Sequence, residues 1–227
     1  ILSWDSFKIN PPKIKVIPCC VNLDLFDPSK IKADDQIVLR KSIGIQDDAY
    51  VLGYIGSIGT WYMLSEMFDY FRVLRITNPS AVFLFVSGED PEMIIKQAKN
   101  QGINPANVFI VSTLHQGVPL HISLFTQSIF FIRASYSKKA SSPTKQGEIM
   151  AMGIPLICNS GVGDTDNIVL KYKSGIVISS FDDTTYQENI LSPIDFDKQK
   201  VKAGAKDYFS LEQGIQSYLE VYKHVNG

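Results

Sequence analysis

A chain of 227 residues with 45% hydrophobic and 20% charged residues has an ordinary globular composition, which excludes a disordered tail, a collagen-like repeat and a low-complexity polymer. Lys and Arg number 22 against 23 Asp and Glu, a formal charge of −1. No basic excess is available for tracking a nucleic-acid backbone, so no nucleic-acid partner is expected. A basic pocket for one small phosphate ligand is compatible with that balance.

In chain order, residues 13–17 read as a strand, with no signal peptide expected before them. The first residue is Ile1 and not Met, which reads as a piece of something longer. A Pro/Asn/Asp-rich loop then runs to Pro28. It contains Cys19 and Cys20, and Cys158 completes an odd set of 3 that makes a poor disulfide framework and suits a reducing, cytosolic compartment. Residues 35–42 read as a helix stopped by Gly44. Residues 50–55 form a buried strand ending in Gly56-Ser57-Ile58-Gly59, and Met63, Met67, Phe71 and Leu74 mark a helical stripe over 63–76. Residues 81–86 are a second continuous apolar strand.

The alternation continues with a helix at 91–101, a strand at 108–111, a short helix at 119–125 and a strand at 129–132. None of these apolar runs is long enough to span a bilayer. A polar loop, 134–142, leads into a helix over 143–152 with Ser142 as its N-cap and Pro143 at the first helical position. Strands follow at 154–158 and 175–179. Ser210-Leu211-Glu212-Gln213 fits a capping box opening a helix to about 224. Strands that are apolar throughout and separated by helices predict an α/β fold: a doubly wound, mostly parallel, Rossmann-like sheet, with residues 1–18 as a lead-in and 19–227 as one domain.

Ligands of such sheets bind beyond the C-terminal strand ends. Gly53-x-x-Gly56-Ser57-x-Gly59 suits close backbone approach to a phosphate or sugar, and reads equally as a tight turn. It contains neither G-x-G-x-x-G nor a Gly-Lys-Ser/Thr phosphate loop. The second turn is Ser141-Ser142-Pro143-Thr144-Lys145-Gln146-Gly147-Glu148. A helix N-terminus is already an anion site. Lys145 in its first turn opposes the helix dipole, which a bound anion would explain. Glu148, one turn deeper on the same face, suits a pair of vicinal hydroxyls such as those of a ribose.

Other candidates carry less. Asp164-Thr165-Asp166 is a D-x-D, read here as a helix start with Asp164 as N-cap. His115, His121 and His224 lack metal-ligand spacing, so no metal is expected. Glu89-Asp90 would suit a dinucleotide ribose, but the fingerprint is missing. Trp4 and Trp61 read as packing or interface residues.

The run S-P-T-K-x-x-E-x-x-A-x-G-I-P over 142–155, a strand, and then Gly161-Val162-Gly163-Asp164 resembles the donor-binding region of GT-B glycosyltransferases, most closely family 4 (group 1). Val16-Ile17-Pro18 with Asn22-Leu23-Asp24-Leu25-Phe26, and Gly53-Tyr54-Ile55-Gly56-Ser57, resemble the start of the C-terminal half of those enzymes. The similarity runs from Lys13 onward. It implies half of a GT-B fold, with the N-terminal acceptor domain absent. It implies a retaining transferase that takes a sugar from a nucleotide-diphosphate donor to an acceptor glycan or lipid-linked glycan, in surface polysaccharide synthesis. A fragment of this kind would be inactive alone.

By the resemblance, Lys145 and Glu148 serve the reaction, Glu148 holding the ribose. Gly56, Ser57, Gly59, Arg133, Lys138, Ser141, Ser142, Thr144, Gly163 and Asp164 surround the diphosphate and sugar. The base lies against Val111, Ser112 and Thr113. Many members carry Glu where this chain has Ala140, and Arg and Lys where it has Ser57 and Thr60-Trp61-Tyr62. In this reading Lys145, with Lys138, Lys139 or Arg133, supplies the charge. No cofactor is implied, and the expected location is cytoplasmic with at most peripheral contact at the inner membrane face. The alternatives are a nucleotide-sugar epimerase of the same fold and a non-catalytic α/β binding domain with a degenerate site, the latter favoured by Ala140 and Ser57.

Overall fold

The computed structural model describes residues 14–192 and 196–226. Trp4 and Lys13 lie outside them. Six parallel strands form one sheet: β1 (Val51–Ile55), β2 (Val82–Val86), β3 (Val108–Val111), β4 (Gln127–Ile129), β5 (Leu156–Asn159) and β6 (Gly175–Ile178), in the order β3-β2-β1-β4-β5-β6. Their helices are α1 (Ala33–Ile43), α2 (Leu64–Thr77), α3 (Pro91–Asn100), α4 (Val118–Ile122), α5 (Thr144–Ala151), α6 (Thr165–Tyr172), α7 (Asp183–Leu191), α8 (Lys198–Phe209) and α9 (Leu211–Asn226). This is the doubly wound topology, and the strand order reverses between β1 and β4, where such sheets form a ligand crevice.

Every residue of β1 and β2 is buried, as expected for strands covered on both faces. An aromatic layer fills one side: Phe83 and Phe85 lie 4.2 Å apart by ring centroids, and Phe68 of α2 stands 5.6 Å from each. Such pairs add to the area buried. Gly53 is part of this packing and not of the loop, since a Cβ there would lie 2.2 Å from the Phe125 ring. The β1–β2 ladder pairs five residues from Val51↔Val82 to Ile55↔Val86. The β1–β4 ladder pairs only Leu52↔Gln127 and Gly53↔Ser128. Side chains reinforce that seam: Ser128 Oγ donates to Gly53 O at 3.0 Å and Tyr50 Oη to Gln127 Oε1 at 2.6 Å.

Several elements differ from the sequence expectation. Residues 14–17 form no strand. The central strand is Gln127–Ile129 and not 129–132. Beyond Ile129 the chain leaves the β1 ladder, and its backbone turns to other partners: Asn159 bonds both Ile132 N (2.8 Å) and Ile132 O (2.9 Å), while Met63 N donates to Phe131 O at 2.9 Å. The helix expected at 143–152 is Thr144–Ala151, with Pro143 in extended backbone at its N-cap. Ser142 does not cap it; its Oγ accepts from Cys19 N at 3.1 Å. The 134–142 loop contains a 3₁₀ turn, Ser137–Ala140.

Helices α7 and α8 were not anticipated. Val201, Ala205 and Phe209 of α8 are fully buried, a sparse stripe among lysines, and they pack where Gly147 lets α5 approach: a Cβ there would stand 2.7 Å from Phe209 and Val21. Half of the capping box forms, Gln213 N donating to Ser210 Oγ at 3.2 Å. No helix among the described residues is long and apolar enough to cross a membrane.

Candidate functional site

The loop leaving β1 is fixed from three sides. Gly56 N donates to Val86 O at 3.0 Å, Tyr54 Oη to Ser57 O at 2.7 Å, and Ile58 N to the Glu89 carboxylate at 3.1 Å. Glu89, expected only for a dinucleotide ribose, is thus a brace for the glycine loop. Gly56 adopts φ +88°, a left-handed conformation that side chains other than glycine resist.

Beneath that loop lies Lys145, from the first turn of α5. The residue is 8% exposed. Its ammonium sits 4.1 Å from the Tyr54 ring centroid and 3.6 Å from that of Tyr62, and donates to Tyr54 Oη at 2.9 Å. Two aromatic faces and one phenol therefore replace water around the ammonium. A Cβ on Gly56 would lie 3.6 Å from Nζ, so the glycine and the cation share one wall. Among the described residues no carboxylate lies within ion-pairing distance of Nζ. Burial lowers the ammonium from 10.5 to about 7, the charge of Glu148 working the other way; the fall represents roughly 5 kcal/mol of solvation not recovered from the cage. The Tyr54 phenol is pushed up by burial, with the Tyr62 and Glu89 charges adding to it, and so stays neutral.

Glu148, one turn along α5, has a side chain 14% exposed and meets His115 Nε2 at 3.3 Å. His115 belongs to the 3₁₀ turn His115–Gly117 after β3. Val111, Ser112 and Thr113 line the end of that strand, half-buried, exposed and half-buried in turn.

Four of the remaining expected residues gather around a separate pocket. Ser141, Ser142, Gly163 and Asp164 line a pocket of about 280 Å³ with Gln146 and Tyr208. Gly163 is required there: φ is +49° and a Cβ would stand 1.8 Å from Ser141 O, while its N–H donates to Lys138 O at 2.9 Å. Asp164 stands at the N-cap position of α6 but makes no capping bond; its carboxylate accepts from Tyr208 Oη at 2.8 Å instead. Asp166 braces the turn through Gly161 N at 3.3 Å. Lys138 lies with Nζ 4.3 Å above the Trp61 ring. Arg133 is exposed, its backbone N–H bonded to Trp61 O at 2.9 Å. Thr144 is exposed at the first position of α5, and Gly59 turns with φ +52°.

The structure thus brings Gly56, Ser57 and Lys145 together, with Glu148 one turn along α5, and gathers Ser141, Ser142, Gly163 and Asp164 around a separate pocket. Among the described residues no group of three or more His, Cys, Asp or Glu is placed to hold a metal. Tyr54, Tyr62 and His115 were missed as site residues. Tyr54 looked like core within an apolar strand, and the one available signal was a lysine needing neighbours where the helix dipole disfavours it.

The family model described as Glycosyl transferases group 1 matches residues 35–206, about three quarters of the chain. A D-inositol 3-phosphate glycosyltransferase of Stackebrandtia nassauensis is 24% identical over 218 residues, 90% of this chain and 46% of that protein. The chain therefore spans about half the length of the curated relative it matches. Among solved structures, a glycosyltransferase from Rickettsia africae superposes with a TM-score of 0.77 at 15% identity, covering 96% of this chain and 59% of that one. Anabaena HepE in complex with UDP and glucose gives 0.69 at 17% identity, covering 92% and 56%. At these identities the structures share the fold.

Proposed function

The chain belongs to the group 1 glycosyl transferases, and from that premise we propose that it is the donor half of such an enzyme. It holds a nucleotide-diphosphate sugar, whose sugar passes with retention to an acceptor glycan or lipid-linked glycan bound by a separate domain. Surface glycan synthesis at the cytoplasmic face of a membrane is the setting this reading implies.

The carrying observation is the buried Lys145 ammonium under Gly56, without a carboxylate in pairing distance among the described residues. A charge desolvated at such cost is completed by an anion, and the glycine loop presents backbone beside it. In this reading the diphosphate lies between the 56–59 loop and the α5 N-terminus, where Lys145, helix amides and the dipole end face it. Glu148 takes the ribose hydroxyls, and the base rests along Val111, Ser112 and Thr113. As the glycosidic bond breaks, negative charge grows on the leaving diphosphate. Fixed positive potential aimed there stabilises the transition state more than the ground state. Lys145 supplies that potential without a metal. Ser141, Ser142, Thr144, Gly163 and Asp164 fit the sugar side, with Arg133 and Lys138 at the rim.

Calorimetry of this chain with UDP, GDP and ADP tests the reading. At least one nucleoside diphosphate binds, and K145A weakens it ~10–150-fold, the worth of a charge-assisted hydrogen bond. Absence of binding by all three, or binding indifferent to K145A, refutes it. The fragment alone transfers no sugar.

A further inference from the structure

Lys145 and Glu148 stand three residues apart on α5, the spacing at which oppositely charged side chains on a helix meet. Both are largely buried, and in such surroundings attraction between them is far stronger than at a surface. Yet no ion pair forms between them. The ammonium points into the Tyr54–Tyr62 cage, and the carboxylate turns the other way to His115 Nε2 at 3.3 Å. Something holds the acid off the base.

His115 is built to do so. Its turn is tied by Gly117 N to Leu114 O at 2.8 Å, and the His121 ring donates from Nδ1 to Gly117 O at 2.8 Å. The His115 ring meets the buried Phe26 edge-on, centroids 5.4 Å apart. A carboxylate only accepts, so Nε2 carries the proton in this pair. One imidazole donor occupies one carboxylate oxygen and leaves acceptor capacity free. The His115 side chain is itself 63% exposed, beside the end of β3.

We infer that His115 is a positioning residue that keeps the Glu148 carboxylate turned toward the end of β3 and away from Lys145, so that cation and anion remain separate and grip different parts of one ligand. Without it, Glu148 swings to Lys145 and the two neutralise each other. The inference rests on the donor-site reading for its ligand, but the charge separation can be measured without any ligand.

Two measurements on the same variants test it: affinity for inorganic pyrophosphate and for the tightest of UDP, GDP and ADP, and the titration of the Lys145 side chain followed by carbon-13 NMR. H115A weakens pyrophosphate about 5–10-fold and the nucleotide further, and moves the Lys145 midpoint upward as Glu148 pairs with it. H115Q, which keeps a donor at similar reach, stays within about 2-fold of wild type. H115A/E148Q regains pyrophosphate affinity but not nucleotide affinity, and brings the Lys145 midpoint back down to the wild-type value or below it, since the Glu148 charge that raises it is gone. A merely structural histidine would not be rescued by neutralising a second residue. The proposal is overturned if H115A leaves affinities and the Lys145 midpoint unchanged, or if adding E148Q to H115A neither restores pyrophosphate affinity nor lowers the Lys145 midpoint again. If the wild type binds neither ligand class, the donor-site reading falls, and the Lys145 titration alone decides for or against His115.

Discussion

Binding of a diphosphate beside Lys145 takes up a proton at neutral pH. In the free protein the ammonium titrates near 7 because burial disfavours its charge. An anion in contact restores the charge, so the bound state holds the proton well above that value. At pH 7 about half of the free molecules carry it, and binding therefore draws in about 0.5 proton per site. Only the charged form is competent. Apparent affinity is reduced by the competent fraction, so between pH 7 and pH 9 it falls ~50-fold. Calorimetry in buffers of differing ionisation enthalpy counts the proton directly, and working above pH 7 keeps the ligand's own last ionisation out of the way. K145M abolishes both the uptake and the slope. Tight, pH-independent binding with no uptake at pH 7 would refute the argument, because a lysine in contact with the anion could not then be the one that burial holds at about 7.

The same burial makes K145M more stable than wild type without ligand, by ~2–4 kcal/mol at pH 6, since an apolar chain of similar length replaces a desolvated cation. The sign follows from linkage: the unfolded chain binds the proton up to its ordinary value, so wild-type stability rises with pH between about 7 and 10.5, and the gap seen in thermal melts closes over that window. G163A, forced against Ser141 O at φ +49°, loses ~2–4 kcal/mol in chemical denaturation; a loss under 0.5 kcal/mol would mean the 138–141 backbone yields freely. Hydrogen exchange with and without a nucleoside diphosphate shows new protection across Ser135–Ser142, whose lysines and hydroxyls gain partners from the anion; protection confined to the start of α5 makes that loop a bystander.

The alternation of apolar strands and helices was enough to read the sheet, because strands covered on both faces have no polar side to confuse them. What the sequence hid is tertiary. The central strand is displaced to Gln127–Ile129 because Asn159 and the 62–63 backbone claim the hydrogen bonds of the more apolar residues after it. Helix α8 escaped notice because it docks through Val201, Ala205 and Phe209 against a glycine, contacts that carry little periodic signal. Lys145 stands out in the sequence by its placement near a helix start, and Glu148 by sharing its face one turn on. Their neighbours do not, since Tyr54 and Tyr62 look like packing in any linear reading, and Ser142 and Asp164, chosen as caps, spend their oxygens on Cys19 and Tyr208.

The site bridges a short join in the sheet. Gly56 and Tyr54 ride on the β3-β2-β1 half, and Lys145 and Glu148 on the half that begins with β4; two residue pairs of ladder join β1 to β4, and Tyr62 lies on a stretch bridged to Ile132. Mechanically, the Lys145–Tyr54 hydrogen bond is one more tie between the two halves, beside the Tyr62–Ile132 bridge. An anion seated between the glycine loop and α5 adds a further tie. Relative displacement of the glycine loop and α5 is then resisted by the ligand itself, so the loaded site is stiffer than the empty one.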